Sequence, residues 1–173
     1  MITYEECIGL GMYEVLQKIQ EMYGEKEAFS WWESGTIKTV TYQDFVCDIR
    51  KLAYYYDSHS LKGKRIVISG RNRYEQVIAM FAAVTMGASA AMLNFDLSAE
   101  QLSDELERIQ PALIVYTLEE EQVLKHTLQK QIPVLLSVSD IQDEKSRTVR
   151  KILDAGQGLY ALNEKPDLSA PSL

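Results

Sequence analysis

Cysteine is scarce in this chain. Cys7 and Cys47 are the only two in 173 residues, and they stand too far apart to suggest a disulfide framework. Two free thiols in a reducing compartment is the expectation. Histidine is equally scarce. His59 and His126 lie far from either cysteine, on polar helix surfaces, so the usual zinc spacings are missing. Basic charge is outnumbered, with 18 Lys and Arg against 25 Asp and Glu. A net charge of −7 excludes a non-specific nucleic-acid binder. No apolar run approaches the ~20 residues of a membrane span. The start, Met1-Ile2-Thr3-Tyr4-Glu5-Glu6, has no basic residues followed by an apolar run, as a secretory leader would. These absences predict a soluble, cytoplasmic protein. A glycine-rich phosphate loop is missing too. Ser34-Gly35-Thr36 is followed by no second glycine and no Lys-Ser/Thr at P-loop spacing, and reads as a turn.

What is present is a chain of ordinary domain length, 46% hydrophobic, with enough apolar content for a real core. It is organised around residues 64–94. Arg65 to Ser69 is a β-branched run closed by Gly70, which reads as a buried strand. Tyr74 to Met86 is apolar nearly all round, including Phe81, and reads as a buried helix. Gly87 suits a left-handed helix end, and Ala90 to Leu93 is a second strand. Strand, helix and strand at this spacing form a parallel crossover unit.

The other elements extend this unit. Met12 to Tyr23 has Val15, Leu16, Ile19, Met22 and Tyr23 on one helical face. Residues 28–33 and 37–40 flank a turn and predict a hairpin. Thr41 with Asp44 forms an Asp version of the capping box, and Val40 with Phe45 a hydrophobic staple. The helix that follows carries Phe45, Val46, Ile49, Leu52, Ala53 and Tyr56. Ser98 with Gln101 is a second capping box, and Pro111 stops that helix. Leu113 to Tyr116 is a third strand, residues 117–130 a helix and residues 132–138 a fourth strand. Pro133 suits an edge position. A last helix spans residues 144–153. The sequence therefore predicts an α/β fold, a mostly parallel sheet of alternating strands and helices with an N-terminal β-hairpin.

Ligands bind outside the carboxyl ends of parallel strands. Those ends are Gly70-Arg71-Asn72-Arg73, Asn94-Phe95-Asp96, Thr117 and residues 137–140. Arg71 and Arg73 are candidates for a phosphate or carboxylate contact, but the expectation is that they are solvated or paired with Glu75 or a nearby acid. Asp96, Glu100 and the run Glu119-Glu120-Glu121 suit the first turns of helices, where acids are favoured. Tyr54-Tyr55-Tyr56 spreads round a helix, so only part of it faces the core. Trp31 and Trp32 alternate across a strand, one ring inward and one nearer the surface. Core packing is the expectation for them, and a contact surface is the alternative. No nucleophile–base pair and no metal-ligand spacing occurs. The sequence assigns no catalytic, cofactor-binding or metal residue.

Several of these stretches resemble the N-terminal part of the adenylate-forming (AMP-binding) superfamily. Val40-Thr41-Tyr42-Gln43-Asp44-Phe45 is similar to its "LTYxEL" helix start. Lys62-Gly63-Lys64-Arg65-Ile66-Val67-Ile68 is similar to its "GDRVAI" strand, and Met86-Gly87-Ala88 through Leu93-Asn94 to its "KAGAVVVPLN" turn and strand. The resemblance runs in order from about Met12 to Thr117. Asn72-Arg73-Tyr74-Glu75 looks like the "NRxEW" signature of long-chain acyl-CoA synthetases, or fatty-acid–CoA ligases, with Gln76 in place of Trp. Met92 stands where the family has Pro.

The resemblance implies ATP-dependent activation of a carboxylate to an acyl-adenylate, then thioester formation. It implies ATP, Mg and coenzyme A for a full-length enzyme, with a carboxylic acid, a fatty acid by the signature, as substrate. The family's nucleotide loop "TSGTTGxPK", its adenine motif, its ribose-binding acid and its C-terminal lysine have no counterpart here. The expectation is an N-terminal fragment lacking the active site, inactive alone, whose partner is the remainder of the ligase chain. Residues 1–162 form its α/β subdomain and residues 163–173 an extended tail leading toward the nucleotide loop. The alternative is a stand-alone, non-catalytic α/β partner-binding module.

Overall fold

The computed structural model describes residues 3–94, 96–117, 124, 135–137 and 148–162. The helix expected over 117–130, apart from Thr117 and Leu124, lies outside the described residues. So do Pro133, His126, residues 138–147 and the tail 163–173.

The elements are α1 (Tyr4–Cys7), α2 (Met12–Tyr23), β1 (Glu27–Glu33), β2 (Thr36–Thr41), α3 (Tyr42–Ser58), β3 (Arg65–Ile68), α4 (Tyr74–Thr85), β4 (Ser89–Met92), α5 (Ala99–Ile109), β5 (Leu113–Tyr116), β6 (Leu135–Ser137) and α6 (Val149–Ala155). Strands β4-β3-β5-β6, in that order, form one sheet, and each neighbouring pair is parallel. The hairpin β1-β2 is a separate antiparallel sheet.

Alternation along the strands divides two cores. Ile66, Ile68, Leu113 and Val115 point to one face and pack with α2, α3, α4 and α6. Val67, Ile114 and Tyr116 point to the other and pack with Leu102 and Leu106 of α5 and with Leu124. The parallel sheet is buried on both faces, which is why its strands read as unbroken apolar runs. Among the described residues no helix is long and apolar enough to cross a membrane.

Local signals set the boundaries. The Ser98 hydroxyl accepts from the Gln101 N–H, and the Gln101 side chain accepts from the Ser98 N–H, a complete capping box. At α3 the Thr41 hydroxyl accepts from the Asp44 N–H but donates to the Asp44 carboxylate. Asp is one methylene shorter than Glu, and here its carboxylate binds the cap hydroxyl. Gly87 ends α4 at φ +83. Its N–H bonds to Val84 and that of Ala88 to Ala83, which makes the end a Schellman motif.

Three expectations need correction. Met22 is 46% exposed, and Tyr13 takes its place with Leu16 on the buried side of α2. Phe81 is only partly buried, edge-on to Phe45. The inner side of α4 is carried by Ile78, Ala79, Ala82 and Ala83, and the three alanines let the helix lie close to the sheet. Trp32 is 71% exposed rather than packed in the core, while Trp31 stacks on Tyr74.

Candidate functional site

The chain passes from β3 to β4 on one side and then to β5 on the other side of β3. The winding therefore reverses between β3 and β5, and an open parallel sheet leaves its ligand crevice at such a point. The residues there are Ser69 and Gly70 after β3 and Thr117 after β5.

This crevice is filled from within. Ser69 is buried; its N–H donates to the Val115 carbonyl at 2.9 Å, and its carbonyl accepts from Gln76 Nε2 at 2.7 Å. Gly70 sits at φ +113, and a Cβ there would lie 2.5 Å from Thr117 Cγ2 and 2.9 Å from Gln76 Nε2. Thr117 is fully buried. Among the described residues, the strand-end loop is thus packed by the Thr117 and Gln76 side chains. Arg71 and Arg73 stand exposed just beyond it. Glu75, the acid suggested as their partner, is buried and bonded to Arg150 of α6 at 2.6 Å. The same guanidinium lies 3.6 Å from Glu33 at the end of β1, so one arginine ties α6, α4 and the hairpin together.

Beside this connection is a cleft of about 580 Å³, a volume typical of ligand sites. Residues 29–34 form one wall; residues 72–75 and Val77 form the other. Its aromatic floor is built by Tyr74, which stacks on Trp31 with centroids 5.2 Å apart and planes 10° apart. The Tyr74 hydroxyl donates to Asp48 at 2.9 Å, and Lys51 lies 3.5 Å from the same carboxylate group. Burial and the adjacent Asp48 carboxylate push the Tyr74 phenol up from its ordinary value. Desolvation also raises Asp48, outweighing its Tyr74 and Lys51 contacts.

The other candidates stay apart. Asp96 and Glu100 are exposed, and the Asp96 N–H is held by the Asn94 side chain. Tyr55 and Tyr56 are buried while Tyr54 is partly exposed against Gly158. Cys7 and Cys47 are free thiols. Among the described residues no three His, Cys, Asp or Glu side chains are placed to hold a metal. Residues 119–121, 139 and 140 lie outside the described residues. Sequence reasoning missed Gln76, Asp48 and Arg150 as partners. Two polar residues inside an apolar helix, Glu75 and Gln76, were the available signal.

The sequence profile of the AMP-binding enzyme family matches residues 16–170. No curated protein matches the chain. The fold is similar to the A-PCP didomain of carboxylic acid reductase from Segniliparus rugosus, solved with AMP. The TM-score is 0.78 and the identity 17%, over 94% of this chain and 29% of that one. It is similar to a benzoate CoA ligase from Burkholderia xenovorans, with TM-score 0.74 and 14% identity over 93% of this chain and 31% of that one. It is also similar to the luciferase-like enzyme of the nonluminescent mealworm Zophobas morio, with TM-score 0.74 and 15% identity over 92% and 37%. At these identities the likeness is one of fold. The chain spans about a third of the length of these proteins.

Proposed function

This chain belongs to the AMP-binding enzyme family, and from that premise we propose that it is the N-terminal α/β subdomain of an ATP-dependent acyl-CoA synthetase. The reaction is activation of a carboxylic acid to its adenylate, then thioester formation with coenzyme A. Residues 1–162 are the subdomain, and 163–173 lead on to the nucleotide-binding part. The observation that carries the reading is a family match over residues 16–170 in a chain one third the length of its structural neighbours. The Asn72-Arg73-Tyr74-Glu75 signature supports a fatty acid as substrate, and a cytoplasmic enzyme is the simplest setting.

The described residues do not fit a nucleoside triphosphate with its metal. Thr117 and Gln76 occupy the strand-end crevice, and among the described residues no acidic cluster is placed for Mg. Adenylation needs donors aimed at the phosphates and compensation for the leaving pyrophosphate. Those belong to the rest of the enzyme. This subdomain supplies a rigid parallel sheet and the walls against which that part is built.

The test is thioester formation by the chain extended through its own downstream reading frame. It should convert carboxylic acids to CoA thioesters, read by mass spectrometry across aryl, medium-chain and long-chain acids. Preference for long chains supports the fatty-acid assignment. No thioester with any acid overturns the reading.

A further inference from the structure

We infer that a second pocket, enclosed by α2, α3 and residues 161–162, binds a small amino acid, with the carboxylate on Arg50 and the ammonium on Glu21. The site stands independently of the ligase reading. Its volume is about 330 Å³, at the small end of ligand sites. Gln17, Gln20 and Glu21 form the α2 wall, and Arg50, Ala161 and Leu162 form the rest. Spacings of three and four put the three α2 residues on one helical face. Packing fixes the walls: Leu16 of α2 and Ile49 of α3 are fully buried in the same core as Leu162.

Arg50 is held in place from one side. Its Nε donates to the Tyr160 carbonyl at 3.0 Å, and its own carbonyl accepts from the Tyr160 N–H at 3.0 Å. The paired bonds clamp the chain at Tyr160 to α3 and fix the plane of the guanidinium. The two Nη groups carry the other four N–H donors, and they have no partner among the described residues. Two Nη groups side by side match the two oxygens of a carboxylate.

Glu21 lines the same pocket and has no cationic partner among the described residues. Opposite charges that share a pocket without closing into an ion pair suit a ligand that bears both charges. The Gln17 and Gln20 amides add donors and acceptors beside them. A compact anion would meet Glu21 and a protein of net charge −7, and a compact cation would meet Arg50. A zwitterion carries no net charge for that field to repel and finds a counter-charge at each end. The apolar lining is limited to Ala161 and Leu162, so the charges select the ligand and its side chain is small.

The experiment is an NMR titration of the 173-residue chain, reading the side-chain N–H signals of Arg50, Gln17 and Gln20. The probes are glycine, β-alanine and 4-aminobutyrate, which differ in the distance between their two charges. Acetate and ethylammonium carry one charge each. At least one amino acid should give saturable shifts with a Kd of about 1–10 mM, and should bind at least about tenfold more tightly than acetate or ethylammonium. Glu21→Gln, an exposed change that leaves the core alone, should cut the preference over acetate to about twofold or less. Arg50→Lys keeps the charge but loses the paired Nη groups, and should weaken amino-acid binding at least about fivefold while the backbone amide spectrum stays native. No saturable shift by about 50 mM with any of the three amino acids overturns the inference. Acetate binding as tightly as the amino acids, or a preference that survives Glu21→Gln, overturns it as well.

Discussion

Gly70 is the residue at which backbone and packing agree most tightly. Its φ of +113 is one that L side chains rarely adopt, and a Cβ there would overlap Thr117 and Gln76. Gly35 has a similar sign of φ, +82, but open space around it. Gly70→Ala should therefore destabilise the chain by about 2–4 kcal/mol, strain and overlap together. Gly35→Ala should cost only the strain, about 1–2 kcal/mol. Urea melts check this, and equal shifts for the two variants would contradict the packing of the strand-end crevice. Asp48 makes a prediction about pH. Desolvation raises its folded pKa above the ordinary 3.8, so the folded state holds a proton that the unfolded state has lost. Stability from this group is present at low pH and is lost as pH rises through the raised pKa. Asp48→Asn keeps an acceptor for Tyr74 and removes the titration. The stability of Asp48→Asn relative to wild type should rise between about pH 4 and pH 7. Melts giving a constant difference over that range would refute it.

At the scale of elements, α6 fastens the hairpin to α4 through one side chain. Glu75 is buried and pairs with Arg150, which also reaches Glu33. Arg150→Ala leaves a buried carboxylate short of its counter-charge. The guanidinium is partly solvent-exposed, so screening reduces the effect to about 1–3 kcal/mol. Adding Glu75→Gln should recover part of that loss, and a double-mutant cycle by denaturant melts reads the coupling. Zero coupling would show the clasp to be decorative. None of this clasp was legible in the sequence, because the pair is 75 residues apart in the chain. Local devices were legible. The Ser98–Gln101 capping box and the Gly87 helix end are set by neighbouring residues and stand as expected. β5, expected at Leu113 to Tyr116, has those bounds, since a doubly buried strand is an unbroken apolar run. What failed was the choice of which apolar residue faces inward. Tyr13, not Met22, is buried on α2, because the packing partner rather than the helical period decides the edge of an apolar face.

At the scale of the whole molecule, the parallel sheet follows from alternation of apolar strands with helices, as the sequence pattern predicts, while the strand order and the division into two cores are visible only in the fold. The cleft was not legible, because it is made by the hairpin folding against the start of α4. The strand-end crevice was legible as a place but not as a filled one, since Gln76 reads as helix surface until its side chain is seen on Ser69. On the proposed reading, a family sheet with Gln76 and Thr117 packed at its strand ends is a scaffold for the nucleotide-binding part of the enzyme. ATP–pyrophosphate exchange by the 173-residue chain, with Mg and a panel of carboxylic acids, tests that most directly. The expected result is exchange no faster than in the absence of protein. Acid-dependent exchange above that background would place a working phosphate site within these residues and contradict the scaffold reading.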